Sequence, residues 1–239
     1  MVTAPEELRR AYAENGYVVV PRLFGAEEMR ALKAEMQRIL AAVCGSGQAA
    51  GSTAEAIGRS GVFVGLAAHS ALFREAVADA RLRRLLTIAL GPEVEFLSDK
   101  VVFKSEATDF GTPWHQDWPY WQGSHKVSLW IPADDATPEN GCLRVIPGSH
   151  RAPARHDGEA TDGHGFANRV RHEQIDEEAA VTVALPAGGG VLFHDLLLHA
   201  SHPNTAGTDR FVWIPTYREA HAVDPDYPWA VARRVLPRG

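Results

Sequence analysis

The chain has 239 residues, with 24 Lys and Arg against 30 Asp and Glu and a formal net charge of −6. It carries no lysine- or arginine-rich cluster of the kind that nucleic acid or an anionic membrane surface requires, so a small-molecule partner is expected and neither nucleic acid nor membrane. The polar run Pro5-Glu6-Glu7-Leu8-Arg9-Arg10 stands where a signal peptide or transmembrane span would need a basic segment and then an apolar one, which predicts a cytoplasmic protein. Cys44 and Cys142 have unrelated spacing, which excludes a disulfide scaffold and a cysteine-rich zinc site; both are expected to be ordinary buried or semi-buried thiols. The length suits one sizeable core, so a single domain over 1–239 is expected; oligomeric state is left open.

In chain order, Pro5 to Asn15 reads as a helix closed by Gly16, and Tyr17-Val18-Val19-Val20 as a strand stopped by Pro21. From Ala26 to Val43 the apolar residues Met29, Leu32, Met36, Ile39 and Leu40 recur at three- and four-residue steps, predicting a helix with one buried stripe. Cys44 to Gly61 is poor in bulk and reads as a loop or mobile cover. Helical spacing returns from Ser70 to Leu90 through Leu72, Phe73, Val77, Leu82, Leu85, Leu86 and Leu90, ending at Gly91-Pro92.

Beyond Gly91 short apolar or alternating runs are broken by Gly, Pro, Asn and Asp, the texture of an antiparallel sandwich or barrel. Candidate strands are 93–97, 100–104, 114–117, 127–131, 142–146, 181–185, 190–194 and 210–217, with Asn140-Gly141 and Pro147-Gly148 as turn chemistry. The fold class expected is therefore mainly β, a two-sheet jelly roll over about 92–218 with N-terminal helices over about 1–91 on one side. Arg151 to Gln174, the longest polar stretch, reads as a substrate lid or a surface insertion.

The densest chemistry lies in Trp114-His115-Gln116-Asp117-Trp118-Pro119-Tyr120-Trp121. In an extended strand His115 and Asp117 share a face, close enough to chelate one metal ion. A third imidazole would complete the two-histidine, one-carboxylate set that leaves open positions on Fe(II). His194, His199 and His202 all compete for that place, and spacing alone does not choose among them.

The ordered series His115-Gln116-Asp117, then 127–135 (VSLWIPADD), 139–150 (ENGCLRVIPGSH), the Leu196-Leu197-Leu198-His199 segment, Pro203-Asn204 and Arg210 resembles the phytanoyl-CoA dioxygenase family over about 16–217. The resemblance implies a double-stranded β-helix enzyme that uses Fe(II), 2-oxoglutarate and dioxygen. It implies His115, Asp117 and His199 as iron ligands, and Arg210 as partner of the far carboxylate of 2-oxoglutarate, a role that suits the planar two-donor guanidinium. Ser201 and Lys104 match family positions that contact the same ligand, and His150 is read as structural. Trp114, Trp118, Tyr120, Trp121 and Trp130 are candidates for an aromatic pocket wall, two or three of them being expected there.

Asp117 argues for oxygenation or desaturation, since related halogenases replace this carboxylate with a small residue. Hydroxylation of a small-molecule metabolite, secondary metabolism being one setting, is the expected activity. Epimerisation, oxidative cyclisation or desaturation at the same iron site, and a non-catalytic jelly-roll binding module, are the alternatives.

Overall fold

Residues 5–46, 57–58, 60–157 and 168–237 are described by the computed structural model. Most of the loop expected over 44–61 and the middle of the 151–174 segment lie outside the described residues. Helix α1 (Pro5–Asn15) ends at Gly16, whose φ of 80° lets its N–H return to the Tyr12 carbonyl at 2.8 Å. Strand β1 (Tyr17–Val20) and helix α2 (Ala26–Ser46) follow, and the predicted stripe Met29, Leu32, Met36, Ile39 and Leu40 is buried throughout. Cys142 is buried as expected, but Cys44 lies on the solvent face of α2 and is exposed, a correction to its reading as a buried or semi-buried thiol.

The single helical stretch predicted over 70–90 is divided. Helices α4 (Ala71–Ala76) and α5 (Ala80–Leu90) replace it, and a further short helix, α3 (Leu66–His69), precedes them. The break follows Val77, where the Asp79 carboxylate accepts the Arg81 N–H at 2.7 Å and so caps α5. Asp79 therefore opens a new helix within a run whose apolar spacing is continuous.

Two antiparallel sheets make the rest. The larger runs β1, β7 (Gly190–His194), β4 (Lys126–Pro132), β9 (Arg210–Glu219), β3 (Val94–Lys104), β10 (Arg234–Val235), and β2 (Val62–Val64) also pairs with β3. The smaller is β6 (Val181–Val183), β5 (Leu143–Val145), β8 (His199–Ser201). This is the mainly β jelly roll anticipated from the sequence. Alternation divides the large sheet into two faces. Val127, Leu129, Ile131, Phe211, Trp213 and Tyr217 join the core under the helices, while Trp130, Phe193, Ile214 and Thr216 turn the other way and line a cavity. Among the described residues no helix is long and apolar enough to cross a membrane.

The strands predicted at 93–97 and 100–104 form one continuous β3 whose register shifts between Phe96 and Ser98. The polar pair Ser98-Asp99, which interrupts the apolar pattern, sits inside the strand. Asp99 turns toward the helices, accepting the Trp213 indole N–H at 2.9 Å and the Ala67 N–H at 2.9 Å. Burial raises its carboxyl to about 6 against those donors. A folded value above the unfolded one, about 4, gives stability that is present below pH 4 and lost as pH rises through 6. In thermal melts over that range, the difference between wild type and Asp99→Asn should therefore move in favour of the variant from about pH 4 to about pH 6 and stay flat above; a pH-independent difference would show that Asp99 does not titrate there.

Past β9 the chain does not leave the fold. Asp224, whose side chain is buried, accepts from the Ser124 hydroxyl at 2.6 Å, Lys126 Nζ at 3.1 Å and Arg218 Nη1 at 2.7 Å, and Arg218 also pairs with Glu95 at 2.7 Å. These contacts satisfy the fully buried ammonium of Lys126, which burial otherwise penalises.

Candidate active site

His115 and His199 face each other across an isolated bridge that extends the small sheet; each N–H donates to the other's carbonyl at 3.0 Å. Their rings lie 4.1 Å apart. Asp117 is not in a strand, contrary to the extended 114–117 segment predicted. It has the αR conformation and immediately precedes a one-turn helix α6 (Trp118–Trp121), with Pro119 in that helix's first turn, where a missing N–H costs nothing. The N–H groups of Asp117 and Trp118 both donate to the Asp195 carbonyl, at 2.8 and 3.1 Å, so the turn after β7 holds the carboxylate in place. Asp117 Oδ1 lies 3.8 Å from His115 Nε2 and 3.9 Å from His199 Nε2. The two side chains thus converge by a turn of the chain and not by strand parity.

Each imidazole has its Nδ1 at a backbone carbonyl, His115 at Pro113 (2.8 Å) and His199 at Leu197 (2.9 Å), which fixes Nδ1 as the protonated nitrogen and makes Nε2 the nitrogen that can ligate a metal. Burial pushes His115 down to about 3 and lowers His199 too, so both are neutral as a metal requires. Burial opposes ionisation of Asp117, yet nearby positive charge, that of Lys100 foremost, holds its carboxyl below the usual range. Asp117 Oδ2 is buried with no hydrogen-bond partner. An orphaned carboxylate oxygen beside two oriented Nε2 atoms fits a divalent first-row metal.

The rival imidazoles lie elsewhere. His194 Nδ1 is 3.1 Å from Asp195 Oδ1 and its ring faces Tyr12, His125 and His150. His202 meets the Thr182 hydroxyl at 3.0 Å. His150 packs where a Cβ on Gly16 would stand, 2.5 Å from its ring, in keeping with a structural part.

The triad opens on a cavity of about 640 Å³. Arg210, Ser201 and Trp130 line one region of it. Arg210 is almost wholly buried; its Nη2 donates to the Gly141 carbonyl at 2.9 Å and its Nε to Asn140 at 3.3 Å, its guanidinium lies 5.7 Å from the Trp130 ring, and Nη1 has no partner. Burial lowers it to about 10, still a cation at neutral pH. The Asn140-Gly141 turn earns its glycine here: at φ 90°, a Cβ would meet the Lys104 side chain at 2.4 Å. Ser201 Oγ accepts the Thr112 N–H at 3.0 Å.

Lys104 pairs in register with Arg210, but its ammonium is directed to the Phe110 carbonyl and it does not line the cavity. Burial first, and then Arg210, lower it to about 7. Of the five aromatic candidates, Tyr120, Trp121 and Trp130 line the cavity, whereas the Trp114 indole donates to Glu177 and that of Trp118 to Gly123. The described flanks of the 151–174 segment meet the segment that carries His115 and Asp117: His156 Nε2 accepts the Gln116 N–H at 3.0 Å and the Val170 N–H donates to Trp114 at 2.8 Å.

Sequence reasoning missed Ser98, Lys100, Thr216 and Trp229, all cavity residues. An unbroken β3 would have disclosed the first two, since Ser98, Lys100 and Val102 alternate on one face. Trp229 lies beyond the expected end of the core, and no motif marks it.

The family model of phytanoyl-CoA dioxygenase (PhyH) matches residues 12–212. An ectoine dioxygenase from Stutzerimonas stutzeri is 29% identical over 224 residues, covering 85% of this chain and 73% of that protein. An L-proline trans-4-hydroxylase from Streptomyces griseoviridis is 33% identical over 187 residues, covering 66% and 69%. The solved epimerase SnoN, in complex with Fe3+, alpha ketoglutarate and nogalamycin RO, shares the fold at a TM-score of 0.74 and 22% identity, over 93% of this chain and 86% of that one. With the match spanning both the helical part and the jelly roll, the chain belongs to the phytanoyl-CoA dioxygenase family of Fe(II)- and 2-oxoglutarate-dependent oxygenases.

Proposed function

We propose that the enzyme hydroxylates a small-molecule metabolite, with iron held by His115, Asp117 and His199 and the far carboxylate of 2-oxoglutarate received by Arg210 with Ser201 beside it. The observation that carries this reading is the presence of two unsatisfied buried groups on residues of one cavity, Asp117 Oδ2 at the triad and Arg210 Nη1. The first suits a cation and the second a carboxylate, so both orphans are explained by the two ligands the family uses. Trp130 supports the guanidinium face, and Lys104, the register partner of Arg210, stands outside the cavity lining. Hydroxylation and a small substrate are favoured by the named activities of the ectoine and proline relatives.

Iron with 2-oxoglutarate and dioxygen supplies the oxidising power, the cosubstrate leaving as succinate and carbon dioxide. The chain's own part is to hold and shield. The carbonyls of Pro113 and Leu197 keep both imidazoles in the ligating tautomer, Arg210 fixes the direction of the cosubstrate, and Phe193, Trp130 and Tyr120 wall the cavity with apolar surface that keeps water away. The test is direct. Purified protein given Fe(II), 2-oxoglutarate and air should accumulate succinate, and a chelator should stop it; a protein that binds metal and cosubstrate yet forms no succinate would be a binding module and not an enzyme.

A further inference from the structure

We infer that the substrate carries an anionic group, a carboxylate in the first instance, and that Lys100 receives it beside the hydroxyls of Ser98 and Thr216. This deepens the oxygenase reading and rests on it. Among the described residues lining the cavity the charged ones are Asp99, Lys100, Asp117 and Arg210. Asp99 is turned to Trp213 and Ala67, and among the described residues the Lys100 ammonium makes no hydrogen bond and acts on Asp117 by its charge alone. Once a divalent ion and dianionic 2-oxoglutarate are in place, Asp117 and the cosubstrate together offset the ion and Arg210. The Lys100 ammonium, half-buried, then remains as the cavity's uncompensated charge and is open to an anion.

The neighbours of Lys100 are arranged for the same guest. Ser98 stands two residues before it on the same face of β3, is 2% exposed, and has a hydroxyl with no hydrogen-bond partner. Ser98 pairs in register with Thr216, whose hydroxyl is 3.0 Å from that of Ser128 on the next strand. A cation, an unsatisfied hydroxyl and an anchored hydroxyl are therefore strand neighbours on the cavity wall, which Tyr120, Trp121 and Trp229 also line. Lys100 is four residues from Lys104, the register partner of Arg210, which is about 13 Å along the strand. With Arg210 given to the far carboxylate of the cosubstrate, Lys100 is the other cation lining the cavity and is assigned to the substrate.

The experiment uses full-length protein loaded anaerobically with Fe(II) and 2-oxoglutarate, titrated with a panel of small carboxylic acids, each beside its primary amide and including L-proline and L-prolinamide. Binding is read by thermal shift and by quenching of tryptophan fluorescence, which Trp121 and Trp229 in the cavity wall should report. Acids should bind roughly 30-fold or more tightly than their amides. Lys100→Met should remove that gap and Lys100→Arg should keep it. The inference is overturned if no acid binds the wild type, if amides bind as well as acids, or if the gap survives in Lys100→Met. It is also overturned if Lys100→Met raises the 2-oxoglutarate requirement as much as Arg210→Ala does, since the ammonium would then serve the cosubstrate. Absence of succinate under turnover conditions would sink the oxygenase reading by itself, because the acid–amide gap is measured without turnover.

Discussion

Asp117→Ala protein should fold, form no hydroxylated product, and bind Fe(II) more than about 100-fold less tightly, since loss of a ligand exceeds the 10- to 100-fold cost of losing a group behind one. The fold should survive because the backbone N–H of Asp117, not its carboxylate, makes the bond to Asp195, and because Oδ2 has no partner to abandon. The clearest readout needs no substrate. Metal at a hundredfold excess over its Kd stabilises by about 2.7 kcal/mol, roughly 5–10 °C in Tm for a chain of this size. Wild type should show that Fe(II)-dependent rise and the variant should not. Equal metal-dependent melting shifts, or normal turnover by the variant, would remove Asp117 from the metal site.

Arg210→Ala should raise the 2-oxoglutarate requirement by roughly 30- to several-thousand-fold, the consequence of the roughly 2–5 kcal/mol carried by one partner of a desolvated, charge-assisted pair. Arg210→Lys should recover only part of this, because an ammonium is a point charge without the fork that meets two carboxylate oxygens. The variant also vacates the Asn140 and Gly141 carbonyls, so its Tm must be measured alongside; a modest fall in Tm with an unchanged apparent affinity for 2-oxoglutarate would mean that the arginine only braces the turn.

The architecture was legible where one face of an element is buried and the other is not. The stripe of α2 follows from that contrast, while β7, buried on both faces, was legible as a short apolar run ending in histidine, and the triad residues were singled out before their convergence could be seen. Legibility failed where a polar residue inside a strand resembled a turn. Ser98 and Asp99 are polar because one faces a ligand cavity and the other answers Trp213, so the features that concealed β3 are the ones that serve the site and the core. His115 and Asp117 were paired for a reason the structure does not use: strand alternation predicts a shared face, whereas a single helical residue and the Asp195 carbonyl produce it. The choice among three histidines was never available from spacing, because it depends on which of them the small sheet carries opposite His115.

The stretch after β9 looks in sequence like a trailing end, and the structure gives it the standing of a retaining wall. Trp229 borders the cavity while Asp224 answers the buried cations Lys126 and Arg218. A chain cut before residue 224 would keep all three proposed iron ligands and still leave the buried Lys126 without its carboxylate and Arg218 with Glu95 alone, with the cavity open on that side. The minimal enzyme therefore extends beyond its last recognisable motif, and trimming or fusing at that end alters the reaction chamber itself.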